Sequence, residues 1–346
     1  MRQTQPATPR VSVVMAVRNG QRWLTEAATS ILRQSEPALE LIVVDDGSTD
    51  GTSRLLGELA SRDARVRVFG QAPHGLAEAL NRGLHAARAP LIARLDADDV
   101  AHETRLQRQA DIFDARPGLG VLGAWALEID SRGRAMGSRE PAVDPASLAC
   151  ELTKSNPLVH SSIMARTDLL RGLGGYRVAF EGAEDYDLWL RASEVSELAI
   201  LPERLVSYRR HPGSVSRRLS LRQAFSVRLA QRAAQSRRSR GGDPAERLAE
   251  PPDWRCALAT NAFYADDVAL YRWLDPGAGE GPSAGAALMD RLAELSHAER
   301  RLAARSLLTR MRSHDRSESV NARGLLLRLF REQPSTVLRA AWSLRA

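Results

Sequence analysis

The chain has 346 residues, 43% hydrophobic and 26% charged, with a formal net charge of +7. That balance suits a soluble globular protein of one large domain, or one domain with an appendage. Its two cysteines, Cys150 and Cys256, lie far apart without metal-ligand spacing, which excludes a disulfide framework and fits a reducing cytoplasm. Nearly all the positive charge is arginine, Lys154 being the single lysine. Such a charge fits an anionic partner: nucleotide phosphates, a phospholipid surface or nucleic acid.

Residues 1–9 read as a polar, disordered tail without a signal-peptide layout. Val11–Val17 reads as a buried strand; Arg18 ends it, so it is too short to span a membrane. Gln21–Gln34 reads as a helix with Trp23, Ala27, Ala28, Ile31 and Leu32 on one stripe. Glu40–Val44 is a second strand, followed by a turn over Asp45–Gly51 and a helix to about Ala60. Arg65–Phe69 is a third strand, Leu76–Ala87 a helix and Leu91–Leu95 a fourth strand. This alternation predicts an α/β fold with parallel strands and crossover helices, in which ligands bind at the strands' carboxyl ends. From about Gly120 short strands surround a turn at Ser131–Arg134, which predicts a mixed-sheet acceptor half to about Ser216. Residues 217–346 read as a helical C-terminal region.

Four constellations carry chemistry. In Leu95-Asp96-Ala97-Asp98-Asp99, alternation in an extended segment puts Asp96 and Asp98 on one side. Two carboxylates there suit a hard divalent cation that also binds a diphosphate, or else an Asp-rich turn capping the next helix. In Val43–Thr52, Asp45 and Asp46 are read as ligand-binding carboxylates, whereas Asp50 and Thr52 are read as caps. Glu184 and Asp185 begin a helix whose Trp189 faces the core; they complement its dipole, or one is a general base. His160 and His211 would be structural if they stood alone.

Together these segments resemble glycosyltransferase family 2, an inverting group with a GT-A fold. The matching stretches are SVVMAVRNG, VVDDGSTDGT, ARLDADD, NPLVHSS, GAEDYDLWLR and SYRRHPGSVS, in the family's order over about residues 10–216. The resemblance implies a GT-A domain over 10–216, with a nucleotide-binding half (10–119) and an acceptor half (120–216). It implies that Ala16 and Asn19 line the nucleotide pocket. Asp46, with Asp45 as the near alternative, binds the base, which in most of the family is uracil. Asp96 meets ribose or diphosphate, Asp98 holds Mn²⁺ or Mg²⁺, His211 approaches that metal, and Asp185 is the catalytic base. Arg94, Glu184 and His160 are supporting residues. The implied reaction moves a sugar from a nucleotide-sugar to an acceptor hydroxyl on a saccharide or lipid-linked acceptor, in cell-surface polysaccharide or glycolipid synthesis. Two departures stand out: Ala89-Pro90 replaces a common glycine, and Ala16-Val17-Arg18-Asn19 replaces Pro-x-Tyr-Asn, losing an aromatic that would stack on the base.

Adjacent Asp45 and Asp46 lack the spacing of a haloacid-dehalogenase phosphatase, and Arg18-Asn19-Gly20 is not a Rossmann first turn. The alternative of another class is a non-catalytic nucleotide-sugar-binding or membrane-associated scaffold protein on the same fold. From Arg204 to Gly242 there is no acidic residue, yet arginines stand at 204, 209, 210, 217, 218, 222, 228, 232, 237, 238 and 240. That run suits peripheral contact with the anionic inner face of a membrane. Against this, Arg228 and Arg232 fall beside Leu221, Phe225 and Leu229 on the helical wheel, which fits a helix docked on the catalytic domain equally well. Little aromatic interleaving argues against nucleic acid.

Overall fold

Strand β1 (Val11–Val17) is buried along its whole length, as expected of a central parallel strand covered on both faces. It lies between β2 (Leu39–Asp46) and β4 (Leu91–Arg94), with β3 (Val66–Gln71) beyond β2, all parallel. The crossovers are α1 (Leu24–Leu32), α2 (Thr52–Arg62) and α3 (Leu76–Ala86), and α4 (Arg105–Ala115), α5 (Pro145–Leu152) and α6 (Thr167–Gly172) follow among the later strands. Past β4 the sheet becomes mixed. Antiparallel β8 (Met164–Arg166) joins β4 to β6 (Leu119–Ile129), and β9 (Glu197–Arg209) follows β6. Short β5 (Val100–Ala101) closes that edge, and β7 (Ala135–Arg139) hairpins off β6 through the expected turn, completing nine strands. The computed structural model describes residues 8–211, 220–255, 263–275 and 295–311, with positions 322, 326, 327 and 329. Most of the expected tail, residues 1–7, lies outside them.

Several element boundaries differ from expectation by a residue or more, and two of the shifts shape the site. The second strand continues through Asp45 and Asp46, which pair with Val17 and Gln71 respectively, so they do not begin a turn. The first helix starts at Leu24 rather than Gln21. Its would-be first residues are bound to the β2–α2 loop: Gly20 N–H donates to Thr52 Oγ1 at 2.9 Å and Gln21 N–H to Asp50 Oδ2 at 3.2 Å. Trp23 thereby leaves the buried stripe of Ala27, Ala28 and Ile31 and stands at the helix entrance.

After β9 the described elements are helical: α8 (Ser220–Arg240), α9 (Ala265–Leu274) and α10 (His297–Arg310). Helix α7 (Glu184–Ala192) packs on α8, which buries Phe225, Leu229, Ala230 and Ala233. One continuous apolar core joins α8, α9 and α10 to α7, α3 and the β1 residue Val14. The arginines that spoil the amphipathic wheel of α8 serve this docking. Arg228 and Arg232 reach buried Asp267 at 2.7 and 2.9 Å, and Arg228 reaches Glu299 at 3.2 Å. Arg237 meets Glu194 and Asp243. Among the described residues no helix is long and apolar enough to cross a membrane.

Helix α3 crosses β1 at Gly83, where a Cβ would come 2.4 Å from Val14 Cγ1. Val14 is β-branched and fixed in its strand, so it has little freedom to move aside. Gly83→Val is expected to cost about 1–3 kcal/mol through overpacking, against a helix-propensity gain of only a few tenths of a kcal/mol. The loss appears as a lower urea midpoint at unchanged m-value, and a wild-type midpoint would contradict so close a crossing.

Candidate active site

A cleft of about 560 Å³ opens at the carboxyl ends of β1, β2 and β4. One wall is the β1 exit. Asn19 there adopts a left-handed φ of 56°, a conformation asparagine tolerates better than most residues. Its side chain accepts Thr49 N–H at 2.8 Å while Ser48 Oγ accepts Asn19 N–H, so the β1 and β2 loops are tied together. Because strand residues alternate, Asp45 and Asp46 face opposite ways. Asp45 turns into its own loop, accepting Ser48 N–H at 3.0 Å and Ser53 Oγ–H at 2.5 Å. Asp46 lines the cleft. It accepts Gln71 Nε2–H, His74 N–H and Gly75 N–H, the last made reachable by a φ of 95° at Gly75. The N-cap of α2 is Gly51, between the two expected caps; Asp50 Oδ1 accepts the N–H of Thr52, the first helical residue, at 2.9 Å.

The cleft floor is acidic. Carboxylate oxygens of Asp96, Asp98 and Asp99 lie within 4.8 Å of one another, a group that could hold a metal ion. His211 Nε2, at the end of β9, is 2.8 Å from Asp98 Oδ2. Burial and the neighbouring Asp96 charge push the Asp98 carboxyl up, and burial with Asp96 and Asp98 pushes Asp99 well up. Asp99 Oδ1 accepts Arg209 N–H at 2.7 Å, while its buried Oδ2 has no hydrogen-bond partner among the described residues. Burial opposes ionisation of Asp96 too, but Arg94 at 2.5 Å, His160 and Ser161 outweigh it and hold that carboxyl low. Crowded oxygens of this kind, with one acceptor left unpaired, are a donor set for a hard cation.

Helix α7 begins with the other acidic pair. Glu184 lines the cleft, only 6% exposed, and its Oε2 accepts Gly182 N–H at 2.7 Å. Burial and the Asp185 charge raise its pKa to about 7. Asp185 borders the lining rather than forming it. Its Oδ2 accepts Asn156 Nδ2–H at 2.8 Å, and burial raises its pKa to about 6. His160 lies half-buried, 3.0 Å from Tyr176 Oη, and desolvation lowers its pKa well below the usual value, which keeps it neutral. Trp189 is fully buried, as its helical face predicts.

The cleft therefore gathers Ala16, Asn19, Asp46, Asp96, Asp98, Glu184 and His211. Asp45 lies aside, and Arg94 is buried under the floor at 3% exposure. Sequence reasoning passed over Trp23 and Arg209. Trp23 lines the cleft, its ring centroid 4.4 Å from that of His211. Arg209 sits 5.5 Å over Trp23, donates to the Asp98 carbonyl at 2.7 Å and ion-pairs with Glu26. The adjacency of Arg209 to His211 was the available signal; for Trp23 there was none while it read as helix stripe.

A carboxyl whose pKa rises on folding stabilises the fold when protonated and loses that contribution as pH climbs through the folded value. For Glu184 the window runs from the unfolded value near 4.5 to about 7. Glu184→Gln should raise the unfolding midpoint at pH 8 and match wild type at pH 4; a midpoint difference that does not depend on pH would contradict the raised pKa.

Residues 12–171 match the model of glycosyl transferase family 2. "Putative glycosyltransferase EpsE" of Bacillus subtilis is 36% identical over 190 residues, 54% of this chain and 67% of that protein. The O-antigen biosynthesis protein RfbC of Myxococcus xanthus is 32% identical over 192 residues, but these are only 15% of its length. Among solved structures, S. aureus TarS 1-349 in complex with UDP-GlcNAc superposes with a TM-score of 0.60 at 17% identity, over 94% of this chain and 92% of that one. The mannosyltransferase PcManGT from Pyrobaculum calidifontis, in complex with GDP-Man and Mn²⁺, superposes at 0.51 with 20% identity, over 97% and 88%. These two likenesses extend the shared fold through the C-terminal helices. With its parallel N-terminal strands, the mixed sheet that follows them and this kinship, the chain belongs to glycosyl transferase family 2 and has the GT-A type of fold.

Proposed function

We propose that this protein transfers a sugar, with inversion, from a UDP-sugar to an acceptor hydroxyl, using a divalent cation. The observation that carries the reading is the cluster of Asp96, Asp98 and Asp99 oxygens on the floor of a cleft large enough for a nucleotide-sugar. Asp98 and His211, with Asp96 close by, would hold Mn²⁺ or Mg²⁺. Such an ion, when bound, neutralises charge on a leaving diphosphate. Ala16, Asn19 and Asp46 form the nucleotide wall. Trp23 offers an aromatic face on the same side of the cleft, where the β1 exit lacks the usual tyrosine.

Asp185 is the base in this reading. It remains partly exposed, and with a pKa of about 6 it is mostly ionised at neutral pH, whereas Glu184 at about 7 is half protonated. Asp185 takes the acceptor's hydroxyl proton as the oxygen bonds to the anomeric carbon and the carbon–diphosphate bond breaks. One displacement inverts that carbon. The O-antigen biosynthesis for which the relative RfbC is named favours cell-surface polysaccharide or glycolipid as the destination. Membrane contact is not needed for this reading: of the arginine run, 204, 209, 210, 222, 228, 232 and 237 pair with carboxylates of the same chain.

UDP release from a UDP-sugar with Mn²⁺ and acceptor tests the proposal. Asp185→Asn should lower turnover about 10²–10⁴-fold, the usual worth of a general base. Asp98→Ala should lower it about 100-fold or more through lost charge stabilisation. Equal turnover in wild type and both variants would remove the assignment.

A further inference from the structure

We infer that Asn156 is a positioning residue for Asp185, and that the segment from Asn156 to Ser162 holds the base and the cation-side carboxylate in one frame. This rests on the reading of Asp185 as base. The Asn156 amide has its orientation fixed: Oδ1 accepts Leu158 N–H at 3.1 Å, so the NH₂ end is the one presented to Asp185 Oδ2 at 2.8 Å. Pro157 biases Asn156 toward extended backbone, which limits the alternatives open to it. Five residues on, Ser161 grips the other centre. Its Oγ–H donates to Asp96 Oδ2 at 2.9 Å, and its Oγ accepts Asp96 N–H at 3.1 Å.

Between these two handles the segment is anchored. Leu158 and Val159 are buried. Ser162 Oγ–H donates to the Val159 carbonyl at 2.8 Å, and Ser162 Oγ accepts Ala124 N–H from β6 at 3.1 Å. His160 meets Tyr176 Oη. The spacing between Asp185 and Asp96 is thus set by a short, bonded piece of chain. A general base must lie within hydrogen-bond reach of the proton it removes, so a rotamer change at Asp185 would uncouple it from the acceptor.

The groups facing Asp185 are Glu184 on its own helix, Arg94 and Asp96 from β4 and its exit, and the hydroxyl of Tyr176. Burial pushes Asp185 up, while Tyr186 N–H, Asn156 and Arg94 hold it down. Losing the Asn156 donor therefore weakens the ionised form as well as freeing the side chain.

Asn156→Asp separates this role from a purely structural one. Its Oδ1 can still accept Leu158 N–H, so a turn-forming role would be fully rescued. A positioning role would not, because a carboxylate then faces a carboxylate. The inference expects kcat to fall about 10- to 100-fold, the worth of a hydrogen bond to a charged group. It also expects the acid limb of the kcat profile to move to higher pH. The donor KM and the calorimetric affinity for UDP with Mn²⁺ should stay at wild-type values. Asn156→Ala should show the same pattern; if it fails to fold, the isosteric Asp variant decides. Wild-type kcat and pH limb in Asn156→Asp, alongside an inactive Asp185→Asn, would overturn the inference alone. An active Asp185→Asn would overturn both the base assignment and the inference.

Discussion

The site depends on repulsion held in check. Asp96, Asp98, Asp99, Glu184 and Asp185 converge at one edge of a sheet, where burial strengthens every charge–charge interaction. Arg94 sits beneath them, buried, with its Nη2 2.5 Å from Asp96 Oδ1. A guanidinium stays charged even in so poor a setting, so the fold carries a permanent cation under its acidic floor. Arg105, also buried, braces the strand end by donating to the Arg94 and Ile163 carbonyls at 2.8 and 2.9 Å. Protonation absorbs the rest of the strain: Glu184 and Asp98 are pushed toward their neutral forms. Charge that the protein alone compensates only partly leaves room for an added cation.

The parallel half of the sheet was legible because its strands are apolar runs and its helices keep a 3.6-residue period. Asp96 and Asp98 do share the cleft, but not by strand alternation: β4 ends at Arg94, and a turn at residues 97–98, closed by Asp99 N–H on the Asp96 carbonyl, brings them together with Asp99. The choice between Asp45 and Asp46 was not legible, because it turns on where β2 ends. One more pair of ladder residues converts a polar turn into a strand with two opposed faces, and only then does Asp46 alone meet the cleft. The same difficulty hid Trp23. Its removal from the α1 stripe follows from bonds between the Gly20–Gln21 turn and a loop some thirty residues away. No local periodicity encodes a contact between two loops.

The arginine-rich helix shows how composition and placement diverge. Read along the chain, an acid-free run looks like a cationic surface. In the fold its partners come from elsewhere: Asp267 and Glu299 from later helices, Glu194 from the turn after α7, Glu181 from the loop before α7. A poorly separated helical wheel was the local sign of this, since charges placed among apolar residues are tolerable only where another element supplies counter-charges.

That docking also bears on chemistry. The match to the family model ends at residue 171, before Glu184, Asp185, Arg209 and His211. What fixes the first two is packing. Ser226 Oγ–H on α8 donates to the Glu181 carbonyl at 2.8 Å, and Gln223 passes so close to Gly182 that a Cβ there would touch it at 3.4 Å. Gly182 has a φ of 81°, and its N–H is the donor that Glu184 accepts. The loop feeding both carboxylates is therefore clamped by α8 on one side, while Asn156 holds Asp185 on the other. Pro251 completes the wall of the cleft beside Val178 and Glu181. Helix α8 thus belongs to the cleft's architecture: it clamps the loop before α7, and the start of α7 sets where its two carboxylates can stand.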